Sequence, residues 1–145
     1  MKFVQIPAEF TLSLFAEEPE IVKPITFAFD ERGRMWVAET VDYPNEPLAG
    51  NPGDDRIRIL EDTNGDGKAD KFTVFADKLY VPTGFALGDG GAYVANQPDL
   101  LFIQDKDGDG YGESRKVLLS GFGTEDNHHA ISAWVWGPEG LLYFQ

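Results

Sequence analysis

Two nine-residue runs set most of the oxygen chemistry of this chain. They are Asp62-Thr63-Asn64-Gly65-Asp66-Gly67-Lys68-Ala69-Asp70 and Asp105-Lys106-Asp107-Gly108-Asp109-Gly110-Tyr111-Gly112-Glu113. Side-chain oxygens fall at positions 1, 3, 5 and 9, and Gly stands at position 6. Hard oxygen donors on alternate residues, with a sharp turn that Gly makes without strain, suit Ca²⁺. The expected donors are Asp62, Asn64, Asp66, Asp70 and the Lys68 carbonyl in the first run. In the second they are Asp105, Asp107, Asp109, Glu113 and the Tyr111 carbonyl. Position 12, where an EF-hand carries a bidentate Glu, holds Thr73 and Lys116. A solvated Asp/Gly turn is the competing reading.

The two histidines, His128 and His129, end the polar run Gly121-Phe122-Gly123-Thr124-Glu125-Asp126-Asn127-His128-His129. An imidazole there can act as a general base, because it titrates near neutral pH. It can also ligate a metal or haem iron. A loop held by Asp, Asn and His hydrogen bonds accounts for the same residues without chemistry. Gly88-Asp89-Gly90-Gly91 has the composition of a phosphate loop. No helix is expected after it to present an N-terminus, so it reads as a hairpin turn. Arg32, Arg34, Arg56 and Arg58 are available cations, though exposed Arg is the ordinary outcome.

These residues sit on a repeat. The second acidic run starts 43 residues after the first. Pro24–Phe29 matches Pro82–Leu87, and Met35–Glu39 matches Ala92–Asn96. Arg56–Leu60 matches Asp99–Ile103, and Phe72–Phe75 matches Lys116–Leu119. A third copy, Ala133–Phe144, matches Thr26–Val37 without a gap at an offset of 107. Each unit reads as four short strands rich in Val, Ile, Phe, Tyr and Trp, separated by Gly, Asp, Asn and Pro. No window of ten or more residues has helical periodicity. One turn is expected at residues 17–20, limited by Pro19 and Pro24. Hairpin corners are expected at Asp30–Gly33 and Pro138–Gly140.

Four antiparallel strands per unit of this length predict an all-β fold, a β-propeller fragment of about two and a half blades. Residues 1–23 form an N-terminal segment whose Phe10–Ala16 is predicted as a closing strand. Residues 24–81 and 82–121 form blades, and 122–145 start a third. The first blade is longer because Val41–Asp54 inserts a loop. Two and a half blades leave unpaired sheet edges. The chain is therefore expected to be the N-terminal part of a longer protein whose remaining blades close the ring, or a unit that an oligomer completes. The acidic loops should join third and fourth strands at the rim. Trp36, Trp134 and Trp136 are expected in the core between blades.

Composition narrows the partners. The 145 residues include 42% hydrophobic and 13% aromatic side chains, enough for a packed core. The formal charge is −13, and seven of the 25 acidic residues lie at expected ligand positions, where a cation would offset them. Phosphate repulsion argues against nucleic acid. There is no cysteine, which excludes disulfides, thiolate metal sites and cysteine nucleophiles. No stretch approaches a membrane-spanning helix, so this segment is not expected to insert in a membrane. The opening Met1–Pro7 lacks the apolar core of a signal peptide. Calcium loops suit a periplasmic or extracellular location.

Asp55-Arg56-Ile57-Arg58-Ile59-Leu60-Glu61-Asp62, Pro82-Thr83-Gly84 and Gly121-Phe122-Gly123-Thr124-Glu125-Asp126 resemble the bacterial membrane-bound dehydrogenase domain. The likeness runs from about Phe10 onward. That domain is similar to the glucose/sorbosone dehydrogenases, six-bladed propellers that bind pyrroloquinoline quinone. The resemblance implies a sugar or alcohol substrate and a cytochrome electron acceptor. In those enzymes a catalytic His stands eight residues before a Gly-Pro, as His129 does before Gly137-Pro138. It implies that His129 takes the hydroxyl proton while hydride passes to the quinone, with His128 beside the cofactor. Leu79-Tyr80-Val81-Pro82 lacks the Gln those enzymes carry there. Their quinone-holding cations and the calcium beneath the quinone are expected beyond Gln145, so this piece alone is expected to be inactive.

Two functions follow as expectations. One is the N-terminal part of a quinone-dependent sugar or alcohol dehydrogenase-like propeller with structural calcium loops. The other is a non-catalytic, calcium-stabilised propeller that binds carbohydrate or protein.

Overall fold

Alternation of apolar and polar residues sets the strands. In Asp55–Glu61, Ile57 and Ile59 are buried while Arg56 and Arg58 turn to the opposite face. The computed structural model describes residues 4–44, 52–124 and 130–145. Among these the fold is all-β, with no helix. The first sheet is β1 (Pro24–Phe29), β2 (Met35–Glu39), β3 (Asp55–Glu61) and β4 (Lys71–Leu79). The second is β5 (Phe85–Gly88), β6 (Gly91–Asn96), β7 (Asp99–Gln104) and β8 (Ser114–Ser120). A hairpin of β9 (Val135–Trp136) and β10 (Leu142–Tyr143) follows. Strand order equals chain order in both sheets, and every neighbouring pair is antiparallel.

Two of the three inner hairpin corners share the same hydrogen bonds. Asp30 N–H donates to the Arg34 carbonyl and Gly33 N–H to the Asp30 carbonyl; Gly33 has φ +76°. Gly137 N–H donates to the Leu141 carbonyl and Gly140 N–H to the Gly137 carbonyl, with Gly140 at φ +81°. These are the same two bonds, 107 residues apart. The β5–β6 corner instead places Asp89 and Gly90 both at positive φ, the tight two-residue hairpin turn.

Both outer strands carry a bulge at one equivalent place. Phe75 is the extra residue between the pairs Ile57↔Ala76 and Arg58↔Val74. Leu118 is the extra residue between Leu100↔Leu119 and Leu101↔Val117. The 43-residue offset therefore runs through the outer strands, and Phe72–Phe75 corresponds to Arg115–Leu118. The expected match to Lys116–Leu119 is one residue too far, because ladder pairing, not side-chain likeness, sets register.

The sheets pack face to face. Trp36, Ile57 and Phe75 meet Phe85, Val94 and Ile103 in one buried cluster, and the Trp36 and Phe75 rings lie 4.5 Å apart. Ala95, Leu100 and Ile131 form a second cluster with Tyr93, Phe122 and Trp134, joining the second sheet to the β9–β10 region. Trp136 departs from its expected core place. It is 39% exposed, donates from Nε1 to the Leu87 carbonyl at 2.9 Å and lies over Gly88. Residues 10–16 also depart from expectation and form no strand. A strand needs a ladder partner. Among the described residues a backbone bond ties this segment to the first sheet's acidic loop, from Ala69 N–H to the Phe15 carbonyl at 2.9 Å. Residues 17–20 do form a turn, with Glu20 N–H donating to the Glu17 carbonyl.

Candidate functional site

The acidic loops occupy equivalent places, each linking the third strand of its sheet to the fourth. In both, the position-1 carboxylate folds the chain around itself. Asp62 accepts the amides of Gly65 at 2.7 Å and Gly67 at 2.8 Å. Asp105 accepts those of Gly108 at 2.6 Å and Gly110 at 2.8 Å. Position 3 accepts the position-5 amide: Asp66 to Asn64, and Asp109 to Asp107. Position 5 accepts the position-7 amide: Lys68 to Asp66, and Tyr111 to Asp109. Gly65, Gly67, Gly108 and Gly110 all take positive φ, so the backbone turns inward twice in each loop.

In the second loop the carboxylates of Asp105, Asp107 and Asp109 come within 4.8 Å of one another. Each carboxylate has about four lone-pair sites, so an accepted amide leaves donor capacity for a cation. The oxygen set suits Ca²⁺. Position 9 stands outside this group. Glu113 accepts the Lys106 amide at 3.1 Å, and Asp70 accepts the Thr63 amide at 3.0 Å and the Thr63 hydroxyl. These carboxylates staple the start of the loop to its end. The Tyr111 carbonyl accepts the Glu113 amide, and Lys68 is exposed. The amide of Gly67 lowers the Asp62 carboxyl most, burial opposes it, and the amides of Gly65 and Asp66 help keep the group below its usual value. For Asp105, burial pushes upward, and the amides of Gly108, Gly110 and Asp109 outweigh it.

Position 8 anchors each loop to a neighbour. Gly112 N–H donates to the Phe75 carbonyl at 2.6 Å, as Ala69 N–H does to that of Phe15. The second loop adds side-chain contacts. The Tyr111 hydroxyl donates to Asp77 at 2.8 Å, and Arg115 donates to the Asp77 carbonyl and carboxylate.

The opposite end of the sheets is different. β3 runs from Asp55 at this end to Glu61 at the loop end. A cleft of about 300 Å³ is lined here by Ile25, Thr40, Tyr43, Val81, Thr83, Ala130 and Ser132. Four of these carry hydroxyls and three are apolar. Two buried acids stand in the strand ends behind it. Glu39 accepts the Val22 amide at 3.0 Å, bonds Arg56 Nε, and has Arg58 Nη1 at 3.8 Å. Asp55 accepts the amides of Asp42 at 2.9 Å and Val81 at 2.7 Å. Burial raises the Asp55 carboxyl above its usual value despite those amides, and the nearby Asp42 charge adds to the rise.

DUF7133, a domain of unknown function, matches residues 1–145, the whole length. The chain belongs to that family. Comparison with curated proteins and with solved structures gave no match. The DUF7133 assignment carries no activity, so the chemistry must be read from the sites themselves. Among the described residues no helix is long and apolar enough to cross a membrane.

His128 and His129 lie outside the described residues. Ala130, next in the chain, lines the cleft. Sequence reasoning missed Glu39 and Asp55 as buried acids, and missed Thr40, Tyr43 and Thr83 as a shared lining. One signal was available: Asp55 opens a strand whose next apolar residues, Ile57 and Ile59, are both core. By period two it shares their buried face.

Proposed function

We propose that this chain is a segment of a propeller-type scaffold of radially stacked four-stranded sheets. Ca²⁺ stiffens the loops at one end, and a small neutral ligand bearing hydroxyls, a sugar or alcohol, binds in the cleft at the other. One observation carries the reading. Ile25, Thr83 and Ser132, equivalent positions of three successive units, line a single cleft. Packed sheets lie roughly 10 Å apart, so equivalent residues in a flat stack would diverge at that spacing. Radial stacking brings them together around a centre. The lining suits its ligand class, with hydroxyls for polar contacts and Ile25, Val81 and Ala130 for the carbon skeleton. Calcium loops of this kind fit a periplasmic or extracellular setting.

Two measurements test the halves separately. Calorimetric titration with D-glucose and with glycerol should give saturable heat that Thr83→Val diminishes. No heat from either removes the ligand half. Chelation should lower the melting temperature, because an ion bound only by the native state stabilises it. An unchanged value removes the calcium half.

An oxidoreductase reading has its own support, since the residue following His129 lines the cleft. In that reading His129 accepts the proton of the ligand hydroxyl and His128 stands at the cofactor. Among the described residues the lining offers no Lys or Arg to the carboxylates of pyrroloquinoline quinone, and no step is derived through that group. Dye-linked aldose oxidation by the full-length protein, with the remaining blades present, supplied with quinone and Ca²⁺ and abolished in His129→Ala, would support this reading. Activity that survives the substitution undiminished would remove His129 from it.

A further inference from the structure

The cleft is bounded by segments of three units, and side chains lace these together in series. Lys23 Nζ donates to the carbonyls of Val41 at 3.0 Å and Tyr43 at 3.3 Å. The Thr83 hydroxyl donates to the Ile131 carbonyl at 2.7 Å. Between these two ties stands Asp55, fully buried. One of its oxygens takes the amide of Asp42, in the wall that carries Thr40 and Tyr43. The other takes the amide of Val81, in the wall that carries Val81 and Thr83.

We infer that Asp55 is the positioning residue of the cleft, a single carboxylate that grips both walls by their backbone amides and sets the distance between them. The inference rests on reading the cleft as the ligand site. One observation separates this grip from ordinary repeat structure. Each second strand ends in an acceptor for the segment leading into an inner strand: Glu39 takes the Val22 amide and Asn96 the Tyr80 amide. That bond recurs, so it belongs to the repeat. Asp55 has no such counterpart, because Pro98 stands at the equivalent place in the second sheet. Like its equivalent Lys23 at φ +44°, buried Val81 takes a left-handed backbone, at φ +43°, that belongs to the repeat. The carboxylate holds its amide, and a buried amide left without an acceptor is costly.

Asp55→Asn tests the grip without any ligand, because one amide would then face an NH₂ donor. Hydrogen exchange at the Asp42 and Val81 amides should quicken together by about tenfold, the loss of one charge-assisted bond. The NMR signals of Thr40, Tyr43 and Thr83 should move, while amides of the 105–113 loop keep their rates. A rise spread evenly over the chain, or confined to one wall, would overturn the inference. Should the variant not fold, the unaltered protein serves. The amide shifts of Asp42 and Val81 should titrate with one common midpoint as Asp55 protonates, with the Asp42 carboxylate the charged neighbour to correct for. Separate midpoints overturn the inference. Titration of D-glucose into both proteins then reads the ligand site, with weaker binding expected in the variant. Failure of the unaltered chain to bind removes the ligand reading, while the exchange data still decide whether Asp55 joins the walls.

Discussion

The loops at 62–70 and 105–113 have the same length and nearly the same hydrogen bonds, yet they do different mechanical work. Their shared shape comes from the position-1 Asp and from Gly at positions 4 and 6. What differs is the intervening residues. Position 3 is Asn64 in one and Asp107 in the other, so the second loop gathers three carboxylates and the first two carboxylates and an amide. Position 7 is Lys68 or Tyr111, and only Tyr111 reaches the preceding sheet through its side chain. Position 8 is Ala69 against the N-terminal segment, or buried Gly112 against β4. Loop shape and loop function are thus set by separate residues.

The largest effect expected from breaking this comparison is at position 8. A Cβ on Gly112 would clash with Ile103 Cγ2 and lie 3.0 Å from the Phe75 ring. Gly112→Ala should destabilise by about 1–3 kcal/mol, the usual cost of overpacking, read by denaturant unfolding. Ala69→Gly should cost well under that, because it removes a methyl from a partly exposed loop. Equal losses would mean that the two anchors are equivalent after all.

Exchanging position 3 sharpens the electrostatic difference. Asp107→Asn should weaken Ca²⁺ binding at the second loop, and Asn64→Asp should strengthen it at the first, each by roughly tenfold, or about 1.4 kcal/mol. Calcium calorimetry reads both, and no change in either would leave the loops as plain turns.

Acid should act on the two loops alike. With chelator present, the Asp62 and Asp105 carboxyls titrate below 3.8 in the folded chain. The native state then binds fewer protons than the unfolded one. Their stabilisation is present above 3.8 and is lost as pH falls through the lowered values. Asp62→Asn and Asp105→Asn should flatten that acid limb. Asp55 has the opposite sign, since its raised carboxyl makes its contribution decline as pH rises through the folded value. A melting-temperature profile that Asp62→Asn, Asp105→Asn and Asp55→Asn all leave unchanged would contradict these assignments.

The smallest effect is at position 7. Tyr111→Phe deletes the hydroxyl shared by Asp77 and Arg115, at a partly solvated site. About 0.5 kcal/mol is expected. Lys68→Phe in the first loop should change stability less than that, and a larger change would show a hidden contact for the first loop.

Strands, corners and acidic loops were legible because their causes are local: period-two burial at Ile57 and Ile59, and left-handed turns at Gly33 and Gly140. The outer-strand register was not. Phe75 and Leu118 bulge where the ladder slips, and a slip leaves no mark on residue type. The alternation in residues 10–16 was real, but it needed a partner strand to become structure.

Side-chain order along the backbone therefore determined the all-β class, the position of the two acid-rich corners and the repeat that relates them, because each depends on residues within a few places of one another. Only the assembled sheets decided that Asp55 would be buried, that its two oxygens would meet amides 13 and 26 residues away, and that three distant lead-in segments would share one cleft. Those contacts arise from packing between units, and no short stretch of chain encodes the distance between its own ends.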